Sequence, residues 1–405
     1  MINRDLYLSK LMLFKDKPLI KVITGIRRCG KSSLLGLFTQ ALSEQGVDAS
    51  RIIHLNFESF QFSDIRHAQQ LYSYIKDRII SEGKYYIVLD EIQEVIDWEK
   101  GVNALAVDLD TDIYISGSNS HLLSGELATF LAGRYIQIDL YPLSFKEYLY
   151  FRKINLKNSQ GELFAAFNDY LRYGGFPVIH LTKYSLETAW KIVADIYSSA
   201  ILRDTVQRHN IRDVELLERV VRYIFDNIGN IVSAKSIADY FKSQQRGADI
   251  NTIYNYLNAL EGAFILHKVN RYDIKGKAIL KTLEKYYVAD LSLIYARTGY
   301  RDRMIAGFLE NIVYLELRRS GYNVYVGKLD TREVDFIAER GNEKLYIQVC
   351  YKIESSKTQD REFAPLLAIK DHHPKLVISM DELWKDNIEG VQSMHIAEFL
   401  TTYLE

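Results

Sequence analysis

Apolar runs of strand length alternate with stripes of helical spacing through the first third of the chain. After a short amphipathic segment to about residue 18, residues 19–24 form an apolar run, and Leu34, Leu35, Leu37, Phe38 and Leu42 then recur on one helical face. Residues 51–57 read as a second strand, Leu71, Tyr74, Ile75 and Ile79 as a helix, and 85–89 as a third strand that ends in Asp90 and Glu91. A fourth strand is expected at 112–116 and a fifth at 135–140. Strands alternating with helices predict a parallel sheet. From 143 to about 204 the pattern is helical, broken by Gly174-Gly175-Phe176-Pro177, which marks a turn. Three helices are expected near 216–228, 233–241 and 251–262, then a strand pair over 265–272 and 278–287 joined by 273–277. Beyond residue 291 the pattern returns to α/β, with a helix at 308–317 and strands at 324–327, 333–338 and 344–350.

The turn between the first strand and first helix is Gly25-Ile26-Arg27-Arg28-Cys29-Gly30-Lys31-Ser32-Ser33. Two glycines at this spacing let the backbone aim successive N–H groups at a phosphate. Lys31 can then neutralise the terminal phosphates, and Ser32 can hold Mg²⁺. The helix that follows adds the positive end of its dipole. These residues predict ATP as ligand with Mg²⁺ as cofactor. Asp90, at the end of a buried strand, is placed to hold the metal, and Glu91 to deprotonate the attacking water. Ser118 and Asn119, after the fourth strand, are candidates to sense the γ-phosphate, or are simple turn residues. Arg134 can act as an arginine finger for a neighbouring subunit, which would imply a homo-oligomer, or can pair with an acid in its own domain. Arg172 and Arg203 are further candidates to reach the nucleotide from a lid.

Three helices followed by a basic strand pair have the layout of a winged helix-turn-helix. Lys268, Arg271, Lys275 and Lys277, with Lys281 and Lys285, outnumber the acids there and predict a patch for DNA or RNA phosphates. The third helix carries few basic residues, so a protein contact is the competing reading. In the last segment, Glu310 on a helix, Asp335 at a strand bend and Gln348-x-Cys350 one strand on follow the metal-site order of restriction-endonuclease-like folds. Gln and Cys replace the acid and the lysine of the catalytic form, so this site is expected to be degenerate. Lys352, two residues beyond Cys350, can reach in if the strand continues.

Composition narrows the partners. The 405 residues have a formal net charge of −1, so any nucleic-acid binding must come from a local patch. The two cysteines, Cys29 and Cys350, are too few for a disulfide framework and are read as reduced thiols of a cytoplasmic protein. No signal peptide and no apolar run of membrane-spanning length is expected.

With those motifs in place, the chain resembles the prokaryotic AAA+-type ATPases that end in a domain of unknown function combining a winged helix with a restriction-endonuclease-like region. The matching stretches are 21–32, Leu89-Asp90-Glu91-Ile92-Gln93 with Trp98, Ser116-Gly117-Ser118-Asn119-Ser120, Leu131-Ala132-Gly133-Arg134, 141–149, Gly174-Gly175-Phe176-Pro177 and Glu333-Val334-Asp335-Phe336. The resemblance implies ATP binding and hydrolysis by Lys31, Ser32, Asp90 and Glu91, with a family-typical arginine at Arg134. The expected fold is α/β: a P-loop AAA+-like parallel-sheet core at 1–142, a helical lid at 143–210, a winged helix-turn-helix at 211–288 and a degenerate nuclease-like domain at 289–405. The expected function is Mg-dependent ATP hydrolysis that moves the C-terminal half on nucleic acid. The alternative is a slow nucleotide-controlled switch that grips a protein partner and has no nuclease activity.

Overall fold

A computed structural model describes residues 2–119, 133–154, 159–245, 247–280, 283–382 and 387–404. Ser120, Leu131, Ala132 and Lys281 lie outside the described residues, as does the side chain of Arg203. The chain divides into two units, residues 1–140 with 262–264, and residues 141–261 with 265–405.

In the first unit, α1 (Asp5–Leu13) leads into β1 (Ile20–Thr24), α2 (Lys31–Glu44), β2 (Ile52–Asn56), α3 (Ala68–Lys76), β3 (Tyr85–Asp90), α4 (Trp98–Asp108), β4 (Thr111–Gly117) and β5 (Tyr135–Asp139). The five strands form one parallel sheet in the order β2-β3-β4-β1-β5. β1 and β3 are buried along their whole length, which explains their unbroken apolar runs. The order places β4 between β1 and β3. The ends of β1, β3 and β4 that carry Gly25, Asp90 and Ser118 therefore lie side by side at the carboxyl edge, where open α/β sheets bind ligands.

The second unit opens with α5 (Phe145–Phe151), α6 (Gln160–Tyr173) and α7 (Leu186–Ser199). The turn after α6 needs glycine. Gly174 has φ +75°, and a Cβ there would lie 2.0 Å from Asp290 Oδ1. His180 is buried just beyond, with Nε2 2.8 Å from the Gly174 carbonyl and its ring edge-on to Tyr148. Next come α8 (Val214–Phe225), β6 (Ile231–Val232), α9 (Ala234–Ser243), α10 (Ile250–Gly262), β7 (Leu266–Val269), β8 (Arg271–Asp273), β9 (Ala278–Ile279), β10 (Glu284–Val288) and α11 (Leu291–Thr298). The chain ends through α12 (Ile305–Arg319), β11 (Asn323–Leu329), β12 (Arg332–Arg340), β13 (Glu343–Val349), α13 (Ser356–Leu367), β14 (Lys375–Ser379), β15 (Asn387–Ile388) and β16 (Val391–His395).

The expected single hairpin over 265–287 is divided between two sheets. β7 and β10 join β6 in a three-stranded antiparallel sheet, ordered β6-β10-β7. β8 and β9 instead form one edge of an eight-stranded sheet, β15-β16-β14-β13-β12-β11-β8-β9, in which β8 runs parallel to β11. The break falls at Asn270, whose carbonyl accepts from Val326 N of β11. Partner choice there is a long-range matter that local periodicity does not report.

His180 gives this unit a pH dependence. Burial holds its imidazole down to about 4, so the folded state keeps it neutral. Its contribution is fully present above the ordinary histidine value and is lost as pH falls from about 6.5 toward 4, amounting to about 2 kcal/mol by pH 5. In thermal melts between pH 7 and pH 4.5 wild type should lose more stability than His180→Gln by about this amount, while the buried His267, Asp290 and Glu261 of the same unit keep their own contributions in both proteins.

Candidate functional site

The nucleotide site is built at the carboxyl edge of the five-stranded sheet. Gly25 leaves β1 at φ +154°, and a Cβ on it would meet the Leu140 carbonyl oxygen at 2.1 Å. Gly30, at φ +107°, precedes Lys31, which opens α2, and Ser32 and Ser33 are exposed in its first turn. Lys31 is nearly fully buried. Its ammonium donates to Gly25 O at 3.1 Å and Ile26 O at 3.5 Å, and lies 3.4 Å from Glu91 Oε1. Cys29 is wholly buried inside the loop, and burial pushes its thiol up, so it packs and does not react.

Asp90 ends β3, and the Ser116 hydroxyl on β4 donates to its Oδ1 while accepting from Glu91 N at 3.2 Å. Asp90 Oδ2 is buried with no hydrogen-bond partner. An unsatisfied buried carboxylate oxygen beside a phosphate loop fits a cation or its bound water, so the residues suit Mg²⁺. Glu91 takes up the left-handed region at φ +54°, which turns its side chain out of the strand toward Lys31. Gln93 Nε2 donates to Glu91 Oε2 at 2.5 Å. Burial raises the pKa of Glu91, but Lys31, the Gln93 amide and Arg27 oppose it and prevail, so the carboxyl ends below its ordinary value and is ionised.

Several supports were not legible in the motif. Arg4, the residue before α1, donates to the Cys29 carbonyl at 3.0 Å and braces the loop. Arg27 pairs with Glu58, after β2, at 2.8 Å. Both contacts span more than twenty residues, and no local pattern encodes them. Ser118 and Asn119 are buried just past the end of β4, on the same edge as the loop. Arg134 is at the opposite edge. Its carbonyl accepts from Ile20 N at the start of β1, and its side chain is exposed along a cavity of about 380 Å³ with Asp16, Lys84, Asp110 and Asp112. Five strand residues separate that edge from the loop, roughly 15 Å, so Arg134 does not serve its own subunit's nucleotide. Arg172 lies near the Tyr300 ring in the second unit.

The C-terminal carboxylates converge, but not with the residues expected. Glu310, Asp335 and Gln348 line a cavity of about 510 Å³ together with Glu333 and Glu362. Cys350 is absent from it. β13 ends at Val349, so the alternation that would aim Cys350 and Lys352 inward stops before them. Cys350 packs instead in a core with Leu329, Val334, Ile337 and Phe363. Lys352 is exposed beside Tyr351. Arg332 and Arg361 line the cavity too, and Arg361 pairs with Glu362, while the cation that meets Glu310, Glu333 and Asp335 is Lys285 of β10, which is buried and so is removed from the basic patch. Its Nζ lies 2.8 Å from Glu333, 2.9 Å from Glu310 and 3.3 Å from Asp335. Tyr287 donates to Glu310, Val349 N to Asp335 Oδ2, and Asp335 N to Gln348 Oε1. Burial, with Asp335 nearby and against the pull of Lys285, pushes Glu310 up to about 8.

The rest of the basic patch is dispersed. Lys268 pairs with Glu284 at 3.2 Å in the three-stranded sheet, whereas Arg271 and the Lys275–Lys277 turn belong to the eight-stranded one. Lys275 pairs with Asp330, and Lys277 is exposed. α10, the third helix, has no Lys or Arg at all.

Comparison with known proteins agrees with this geometry. An AAA domain model matches residues 17–149, and the Domain of unknown function (DUF8612) matches 165–303. An uncharacterized protein of Haemophilus influenzae is 40% identical over 402 residues, covering 99% of this chain and 98% of its own. Uncharacterized protein MJ1544 of Methanocaldococcus jannaschii is 34% identical over 384 residues, covering 91% and 82%. The Walker-type ATPase PABY2304 of Pyrococcus abyssi is 17% identical with a TM-score of 0.49, covering 73% of this chain and 95% of that one. The chain carries a P-loop nucleotide-binding domain of the AAA class. It belongs to the family of AAA+-type ATPases that join this domain to a DUF8612 region.

The loop geometry predicts that Gly25→Ala weakens nucleotide binding by roughly tenfold or more, ~1.4 kcal/mol at least. Titration with a fluorescent ATP analogue would show the loss, and an unchanged circular dichroism spectrum would show that the fold survives.

Proposed function

We propose that this protein is a Mg²⁺-dependent ATPase in which Glu91 is the general base. The observation that carries the reading is the meeting of Lys31, an ionised Glu91 and an unsatisfied Asp90 Oδ2 at one end of a parallel sheet. Phosphate oxygens are stronger acceptors than the Gly25 and Ile26 carbonyls that Lys31 now uses, so a bound nucleotide draws the ammonium off the loop and away from Glu91. Losing that neighbour raises the proton affinity of Glu91. Glu91 then takes a proton from water as the water oxygen bonds to the γ-phosphorus, and the bond from phosphorus to the β–γ bridging oxygen breaks to leave ADP and phosphate. Ser32 and Asp90 are the residues that would hold Mg²⁺, which supplies charge neutralisation on the phosphates. Arg27, Gln93 and Ser116 position the loop and the two acids and take no part in bond changes.

For the output, the surface supports a protein partner over nucleic acid. Lys268, Lys275 and Lys285 already face acids, and the third helix carries no positive charge to neutralise phosphates. The nucleotide state would then govern the grip of the C-terminal half on that partner.

Steady-state hydrolysis of wild type and Glu91→Gln, each with and without DNA or RNA, tests both parts. Turnover should fall on the order of a hundredfold in Glu91→Gln with nucleotide still bound. Nucleic acid should leave the wild-type rate unchanged; a strong acceleration returns the motor reading. If Arg134 completes a neighbour's site, turnover per chain rises with protein concentration, and Arg134→Ala removes that dependence without changing nucleotide affinity.

A further inference from the structure

The order Glu310, Asp335, Gln348 is that of a metal centre, yet the residues present do not fit a metal. Three carboxylates brought together need positive charge to offset their repulsion. Here that charge is already supplied. The Lys285 ammonium is 2% exposed, has three protons to donate and faces three carboxylate oxygens, one each on Glu310, Glu333 and Asp335. Two further candidate ligand atoms are engaged as well: Asp335 Oδ2 accepts from Val349 N, and Gln348 Oε1 accepts from Asp335 N. Among the described residues no group of three or more His, Cys, Asp or Glu is arranged to hold a metal ion.

The origin of this cation matters as much as its position. Lys285 stands on β10, in the three-stranded sheet that accompanies α8, α9 and α10. Glu310 stands on α12, and Glu333 and Asp335 on β12 of the eight-stranded sheet. β8 and β9, which lie between β7 and β10 in sequence, pair into that second sheet. Backbone pairing and a buried ion cluster therefore join the same two parts independently.

We propose that Lys285 is a tethered cation in the place of a divalent metal, which converts a nuclease-type centre into a fixed clamp between the three-helix part and the C-terminal sheet. The clamp needs no metal and performs no phosphodiester chemistry, and it makes the second unit move as one body. Nothing in it depends on ATP hydrolysis in the first unit. An inactive ATPase and a failed clamp are therefore separate results.

The test is Mn²⁺ binding to the nucleotide-free full chain, followed by electron paramagnetic resonance and by melting temperature. Wild type should show no Mn²⁺ binding that Asp335→Asn removes. Lys285→Met should melt several degrees lower, roughly the effect of losing a buried partner. It should also gain a Mn²⁺ site that restores part of the loss, and Lys285→Met/Asp335→Asn should lack that site. Lys285→Arg, which keeps the charge, should gain none. Asp335-dependent Mn²⁺ binding in wild type overturns the proposal, as does a folded Lys285→Met that gains no site. Should Lys285→Met not fold, wild type against Asp335→Asn still decides: no difference in Mn²⁺ binding or in Mn²⁺-induced melting shift supports the clamp, and a difference overturns it.

Discussion

A buried ammonium has lost its water and must be given oxygen acceptors by the protein, or it gives up its proton. Among the described residues three lysines are buried in this way, Lys21, Lys31 and Lys285, and each is met differently. Lys21, on β1, is bound by Asp112 of β4 at the amino edge of the sheet, with Tyr114 also on that carboxylate. Burial still lowers its proton affinity, against the pull of Asp112. Lys31, at the start of α2 beyond the other end of that strand, has carbonyls and one acid. Lys285 has three acids. The first pair is local to the sheet and satisfied, the last is saturated, and only Lys31 is held by acceptors that a ligand can outbid. The position where charge is least well matched is thus the position where a phosphate would bind.

That ordering explains which parts of the molecule could be read in advance. Buried parallel strands are apolar throughout, so β1, β3 and β4 announce themselves, and the phosphate loop is legible because its chemistry lies within nine consecutive residues. What brings Arg4, Glu58 and Ser116 to the loop is tertiary, and sequence spacing carries no sign of it. Lys285 is the sharper lesson. Counted with its neighbours it made a basic patch, yet β10 is buried at every position and takes this charge inside with it. Cys350 and Lys352 failed in the opposite sense, because the alternation that recommended them ends with the strand at Val349.

The division of the 265–287 segment between two sheets bears on how the second unit can respond to the first. A winged helix attached only by its ends could reorient on its own. Here the segment between β7 and β10 is sewn into the eight-stranded sheet, and Lys285 closes the remaining gap with a buried ion cluster. Breaking such a cluster leaves carboxylates without a partner in a low-dielectric site, a cost of several kcal/mol, well above what a single surface contact supplies. Motion inside the second unit is therefore the expensive route.

The position of Arg134 sets a limit of the same kind on the first unit. An arginine at the amino edge of a parallel sheet and a phosphate loop at the carboxyl edge cannot meet within one chain, because the strand between them is rigid and buried. If Arg134 acts on a nucleotide, the nucleotide is another chain's, and catalysis is tied to assembly. If it does not, its surroundings offer Asp16, Asp110 and Asp112, enough negative charge to hold it as part of the base of the sheet. Lys21 already neutralises Asp112 there, so Arg134 would add little to the balance of charge in that role.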